Sequence, residues 1–265
     1  MRSVNISSIR TVDRAIDVLN VFTPEKPILT IDEIAQATRL PKATVYRLLY
    51  TMERRGLIQY HPETLQYKIG LKMLEYAGLV TGTLDVRKES EDLLDDLHMK
   101  TRQSVLMAVP DNDSIVYVFK REKPEGLKYS SFVGQRRPLN YGVMGRIIMA
   151  YLPKERLTSI MRKYPAPPWM EEGETVDDTI RINFDTVKKE LVCVDINKTN
   201  DGVAGIGAPI FNAEGKLIAA LALIGPTVQL VDDEFDRKKE FVKEAARQIS
   251  RRMGYPDDAY APTGL

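Results

Sequence analysis

The amino-acid sequence predicts an α+β protein in two domains, a small winged helix-turn-helix ahead of a larger domain in which helices flank a mostly antiparallel sheet. Three stretches carry that expectation. Residues 30–55, TIDEIAQATRLPKATVYRLLYTMERR, space their apolar side chains as two short helices set across a tight turn. The next stretch, LIQYHPETLQYKIG, reads as two extended segments joined by a turn at Pro62, so a small hairpin follows the helix pair at once. Beyond residue 100 the apolar period switches from helical to alternating, which marks a sheet. The expected boundaries are 1–70 for the winged domain, 71–83 for a linker helix and 84–265 for the second domain.

Taken in order, residues 1–10 read as a flexible basic arm. Val12, Ala15, Ile16, Val18, Leu19 and Phe22 then describe an amphipathic helix that ends at Thr23-Pro24. In the first helix of the pair, Ile31, Ile34 and Ala35 share one face, Thr30 can cap the free N–H groups, and Glu33 completes a capping box. In the second, Pro41 suits the first helical position, and Val45, Leu48, Leu49 and Met52 point inward. Lys42, Thr44, Tyr46, Arg47, Tyr50 and Arg54 are left outside. Their cationic and hydroxyl donors suit phosphate oxygens and purine edges in a major groove. Gly56 stops the helix, and in LKMLEYAGLVTG the glycines Gly78 and Gly82 suggest that the connecting helix bends or breaks near its end.

The second domain opens on a helix over residues 84–100 that buries Val86, Leu93, Leu94 and Leu97 and turns an acidic face outward. SVLMAV, SIVYVFKR and LKYSSFV follow as strands, separated by turn signals at Asp111-Asn112-Asp113 and Pro124-Glu125-Gly126. GVMGRIIMAYL is apolar enough for a buried helix, Pro153 starts a more polar one, and PAPPWMEEGE is a loop, a candidate lid. Helix resumes over 177–190. LVCVDI, GVAGIGAPIF and KLIAALALIG are strands, and a last helix runs from Asp232 to about Met253.

Composition excludes several classes. Thirty-eight Lys plus Arg against 37 Asp plus Glu give a net charge of +1, so the chain is not a polycation that coats nucleic acid indiscriminately. Positive charge concentrates at the front, where residues 1–70 hold ten basic and seven acidic side chains. A single cysteine, Cys193, rules out an internal disulfide, and with only His61 and His98 beside it a metal site is not expected. Absence of a bilayer-length apolar run or a signal peptide points to a cytoplasmic protein without a membrane partner.

RAIDVLNVF, LTIDEIAQATRLPKATVYRLLYTMERRGLI, YKIGLKMLEYAG, RRPLNYGVMGRIIMAYLP and GIGAPIFNAEGKLIAALALIGP together resemble the IclR (isocitrate lyase regulator) family of bacterial transcription factors, over essentially the whole chain. That resemblance implies a winged helix-turn-helix joined by a linker helix to a GAF-like effector domain. It also implies double-stranded operator DNA as a partner, a dimer or a dimer of dimers, repression as the commoner behaviour, and no cofactor or catalytic residue. Carried over position by position, the family's DNA contacts fall on Arg14, Thr30, Lys42, Thr44, Tyr46 and Arg47. Its effector contacts fall on Leu127, Tyr129, Val143, Met144, Asp195, Gly205, Ala222 and Ile224, with Tyr141 added as a source of a ring and a hydroxyl.

The sequence departs from the family pattern at Gly205, where many members have cysteine, and at Ala222 and Ile224, where serines are common. These replacements are expected to leave a larger, less polar pocket that disfavours a very small oxo-acid such as glyoxylate. Asp195 would need a hydroxyl or N–H donor on the ligand. The expected effector is a small organic acid, aromatic or otherwise apolar. Two other readings compete. One is an enzyme fused to a DNA-binding module and using Asp195 and Asp201; the other is an architectural DNA protein. No Ser/His/Asp or Cys/His constellation supports the first: His98 reads as surface and Cys193 as a small core residue. The near-neutral charge disfavours the second.

Overall fold

The computed structural model describes residues 8–82, 85–123, 131–164, 167, 170, 184–256 and 260. The chain divides into two compact units, 1–83 and 84–265.

In the first unit, α1 (Arg10–Asn20) is followed by β1 (Ile28–Thr30), α2 (Ile31–Thr38), α3 (Lys42–Arg54), β2 (Ile58–His61), β3 (Gln66–Ile69) and α4 (Lys72–Gly82). The capping box at α2 forms as the sequence requires: Glu33 N–H donates to Thr30 Oγ1 at 3.4 Å, and Thr30 N–H donates to Glu33 Oε2 at 2.7 Å. Val18, Ile34, Val45 and Leu49 are fully buried where α1, α2 and α3 meet. Burial of each stabilises the unit by about 1.5–3 kcal/mol. The wing is antiparallel, with Ile58 opposite Ile69 and Tyr60 opposite Tyr67.

Three sequence expectations need correction here. Pro41 stands before the first turn of α3, with φ −56° and ψ 136°, rather than inside it. β1, three residues long, pairs with β3 and widens the wing into a three-stranded sheet of order β1-β3-β2. Helix α4 runs through Gly78 without a break; the cost of about 1 kcal/mol for an interior glycine is not enough to end it.

The second unit contains α5 (Asp85–Thr101), β4 (Ser104–Asp111), β5 (Ser114–Arg121), β6 (Arg136–Pro138), α6 (Gly142–Ala150), α7 (Lys154–Lys163), α8 (Asp185–Glu190), β7 (Cys193–Ile196), β8 (Val203–Phe211), β9 (Leu217–Pro226), α9 (Thr227–Leu230) and α10 (Phe235–Arg252). Among the described residues the sheet has order β6-β5-β4-β9-β8-β7, antiparallel throughout. β6 and α9 are absent from the sequence reading, being too short to show a period. The strand expected over LKYSSFV, most of the Pro-rich stretch and the first part of the helix expected over 177–190 lie outside the described residues.

Register sorts the two faces. Met107, Leu221 and Ala208 lie side by side across β4, β9 and β8, and Ser90 of α5 donates to the Met107 sulfur, so that face is covered by α5. Helix α10 joins α5 there: Ser250 Oγ accepts from Phe211 N–H at 3.0 Å, and Arg252 bridges to Asp92. The alternate residues Leu106, Ala222 and Gly207 point to the opposite face, against α6.

Candidate functional site

The first candidate surface is the outer side of α3. Its inward residues are fixed by the core, so helical period alone pushes Arg47, Tyr46, Tyr50 and Arg54 out of it. Arg47 is exposed, Tyr46 is 56% and Tyr50 51% exposed, and the Arg54 guanidinium lies 5.9 Å from the Tyr50 ring centre. A cleft between α1 and α3 is lined by Thr11, Arg14, Thr44, Arg47, Leu48 and Thr51. It brings together three of the expected DNA contacts, Arg14, Thr44 and Arg47. Two guanidiniums and several hydroxyls, with no carboxylate among them, make a surface suited to phosphate.

The other three expected contacts stand apart from that cleft. Lys42 reaches Asp32 at 2.7 Å in a solvent-exposed pair, which a phosphate can displace at little cost. The Thr30 hydroxyl is committed to its cap, donating to Glu33 Oε2 at 2.8 Å. Tyr46 heads a separate row with Tyr50 and Arg54. Thr11 and Thr51 were missed by sequence reasoning. Thr51 was findable, lying one helical turn after Arg47, whose carbonyl its hydroxyl bonds at 2.8 Å; Thr11 carried no signal.

The second candidate is a recess at the start of α6, lined by Tyr141, Gly142, Val143, Asp195, Thr199, Asn200, Val203, Ala204, Gly205 and Ile224. Helix α6 reaches the sheet there because β8 presents glycine. A Cβ at Gly205 would lie 3.0 Å from Val143 Cγ1, and one at Gly207 would lie 2.8 Å from Ile147 Cδ1. Arg146 fixes the same helix to β7. It is 7% exposed, and its Nε donates to the Cys193 sulfur at 2.9 Å while the guanidinium also bonds the Val194 carbonyl. Burial pushes the Cys193 thiol up, against the opposing pull of Arg146. Cys193 is thus a core residue, as expected. His98 is not plain surface: it is half-buried, with Nδ1 2.7 Å from the Gln103 carbonyl.

Several expectations about the recess change. The room left by glycine at 205 is filled by Val143, and the cavity volume is about 30 Å³. It is therefore small rather than large, although most of the surface it exposes is apolar. Asp195 has donors from its own chain: the backbone N–H groups of Lys198 and Thr199, each at 3.2 Å, and the Thr199 hydroxyl. The Tyr141 hydroxyl accepts from Asn200 Nδ2 at 2.6 Å. Met144 is buried in the core and does not line the recess, and Ala222 sits one row deeper, opposite Gly207. Leu127 and Tyr129 lie outside the described residues. Thr199 and Asn200 were missed, although Asn197-Lys198-Thr199-Asn200-Asp201-Gly202 after Asp195 is a run of turn-forming residues; Val203 and Ala204 carried no signal beyond their strand.

Fold and sites together define a two-part regulator, one unit shaped to grip a duplex and the other to enclose a small molecule. Residues 11–62 match the family described as "IclR helix-turn-helix domain", and residues 78–251 match "Bacterial transcriptional regulator IclR C-terminal". The chain belongs to the IclR family of DNA-binding transcriptional regulators, which are not enzymes. It is 27% identical to the HTH-type transcriptional regulator XynR of Escherichia coli over 94% of this chain and 98% of that protein. It is 29% identical to KipR of Bacillus subtilis over 93% and 98%. Its fold matches the crystal structure of Thermotoga maritima IclR (TM-score 0.76, 22% identity, 94% of this chain and 100% of that one). It also matches an IclR homologue from Microbacterium hydrocarbonoxydans complexed with 4-hydroxybenzoate (TM-score 0.79, 19% identity, 92% and 98%). Among the described residues no helix is long and apolar enough to cross a membrane.

Proposed function

We propose that this chain is a cytoplasmic, homo-oligomeric repressor whose affinity for one operator changes when a small organic acid enters the recess at the start of α6. The observation that carries the reading is the recess itself, walled by α6 on one side and by β7 and β8 on the other. A cavity of about 30 Å³ is far below the usual ligand-site range of about 300–1,000 Å³, so an acid would enter only as the walls of the recess move apart. A single-ring or short-chain acid would require that opening, and the Microbacterium homologue is complexed with such an acid, 4-hydroxybenzoate. Self-association is supported by exposed apolar side chains: Val12 and Ile16 on α1, and Leu71, Leu74 and Leu79 on or beside α4.

Regulation follows by linkage. A ligand that prefers one arrangement of the two units shifts operator affinity by its differential binding, typically about 1–3 kcal/mol. Residues 71–83, the last stretch of the first unit, are the segment through which that preference acts. The test is a thermal-shift screen of organic acids on the full chain, then operator titration with and without each hit. Stabilisation by an acid that leaves operator affinity unaltered would remove the reading.

A further inference from the structure

One side chain keeps the recess at about 30 Å³. Val143, in the first turn of α6 and 4% exposed, sets both of its methyls on the floor of β8: Cγ1 stands 3.0 Å from where a Cβ on Gly205 would be, and Cγ2 3.3 Å from where one on Gly207 would be. A β-branched side chain is stiff at χ1, and with both methyls packed, rotation alone clears no room. The other walls are held from elsewhere. Gly205 is paired with Ile224 inside the sheet, Asp195 accepts from the Thr199 hydroxyl, and the Tyr141 hydroxyl accepts from Asn200. One helical turn beyond Val143, Arg146 ties α6 to the Cys193 sulfur and the Val194 carbonyl.

Resting on the reading of this recess as the effector site, we propose that Val143 is a strut that sets both the size of acid admitted and its regulatory effect: a ring enters only by pushing Val143, and with it the first turn of α6, off β8. Arg146 is the hinge of that tilt. A ligand that needs a rarely populated arrangement binds with an affinity lowered by the fraction in that arrangement, and one that suits both arrangements equally shifts nothing however tightly it binds. Shortening Val143 therefore removes both effects at once. Ring acids bind more tightly, and the operator ceases to respond to them. The family resemblance implies Val143 as a contact with the effector, but a contact that is shortened loses affinity, whereas a shortened strut gains it.

The experiment is calorimetry on the full chain with pyruvate, benzoate and 4-hydroxybenzoate, then titration of a duplex selected by the wild type, with and without each acid. Three variants join the wild type: Val143→Ala, Gly205→Ala and the two together. In the double variant the methyl on residue 205 lies 3.5 Å from the Cβ of residue 143, an ordinary contact, and returns bulk to the recess from the opposite wall. Thermal unfolding without acid reports that each is folded. Val143→Ala should bind benzoate or 4-hydroxybenzoate about tenfold or more tighter than the wild type, with a smaller gain for pyruvate and the same duplex affinity with and without acid. The double variant should fall back toward the wild type, and Gly205→Ala, narrowing the recess against an intact Val143, should weaken both ring acids. A Val143→Ala protein that binds ring acids no tighter, or binds them tighter yet shifts duplex affinity as the wild type does, overturns the proposal. In that case weakened acid binding by Gly205→Ala leaves the recess as the effector site, and unchanged binding removes that reading as well. Should Val143→Ala not fold, Gly205→Ala carries the test, and ring acids bound as tightly as by the wild type overturn the strut. A wild type that binds an acid with no change in duplex affinity removes reading and proposal together; silence of both wild type and Val143→Ala toward all three acids at millimolar concentration also counts against Val143.

Discussion

The outer face of α3 and the glycine face of β8 solve opposite problems. On α3 the functional groups stand in water with no carboxylate in the cleft: Arg14 and Arg47 line one groove, and Tyr46 and Tyr50 are half exposed. On β8 the sheet has shed side chains so that α6 can settle on it, and the polar groups at the edge of that contact are bonded to one another. A surface that waits for a rigid polyanion can stay open, because water solvates its charges until phosphates replace it. A recess inside a core cannot, since each buried polar atom needs a partner whether or not a ligand is present. A ligand entering the proposed site on the β8 side would therefore exchange existing bonds rather than fill a void.

The largest effects should come from what stands behind the two faces. Ile34→Ala empties a fully buried site between α2 and α3, and should destabilise the first unit by about 2–5 kcal/mol. Denaturant unfolding should show that loss with operator binding lost in parallel, while acid-induced stabilisation of the second unit persists. Gly207→Ala brings a methyl within 2.8 Å of Ile147 Cδ1 and 3.0 Å of the Leu221 carbonyl. A loss of about 1–3 kcal/mol is expected from overpacking, with weakened acid binding. If that variant is as stable as the wild type, close seating of α6 on the glycines is not what shapes the recess.

Smaller effects separate the groups on α3 itself. Arg47→Ala should cost about 1–3 kcal/mol of discrimination between operator and unrelated duplex, measured by competition titration. Thr30→Ala removes the cap of α2 and should lower thermal stability by about 1 kcal/mol. Lys42→Ala, losing a solvated contact, should weaken operator and nonspecific DNA alike and reduce the salt slope by about one. Equal loss of sequence preference in the Lys42 and Arg47 variants would erase the distinction between positioning and reading.

The parts of the molecule legible in its sequence are those set by neighbours along the chain. Thr30 and Glu33 are three residues apart and cap the same helix, and the period through Val45, Leu48, Leu49 and Met52 fixes which side chains of α3 face outward. The three residues of β1 and of β6 carry too few alternations to be seen. The space at Gly205 was misjudged for a different reason: whether a missing side chain leaves a hole depends on Val143, which lies 62 positions earlier in the chain and reaches it only through the fold. Arg136 and Arg137 likewise look identical in sequence, yet the first is paired with Asp111 and the second is stacked on the Tyr141 ring.

One contact supplies a built-in reporter of motion. The chain has a single sulfhydryl, Cys193, and Arg146 of α6 bonds directly to its sulfur. An alkylating reagent can reach that atom only when the helix lifts from the strand or the unit opens altogether. The rate of labelling therefore times α6 in the untouched natural sequence, and an acid that holds the helix down should slow that clock.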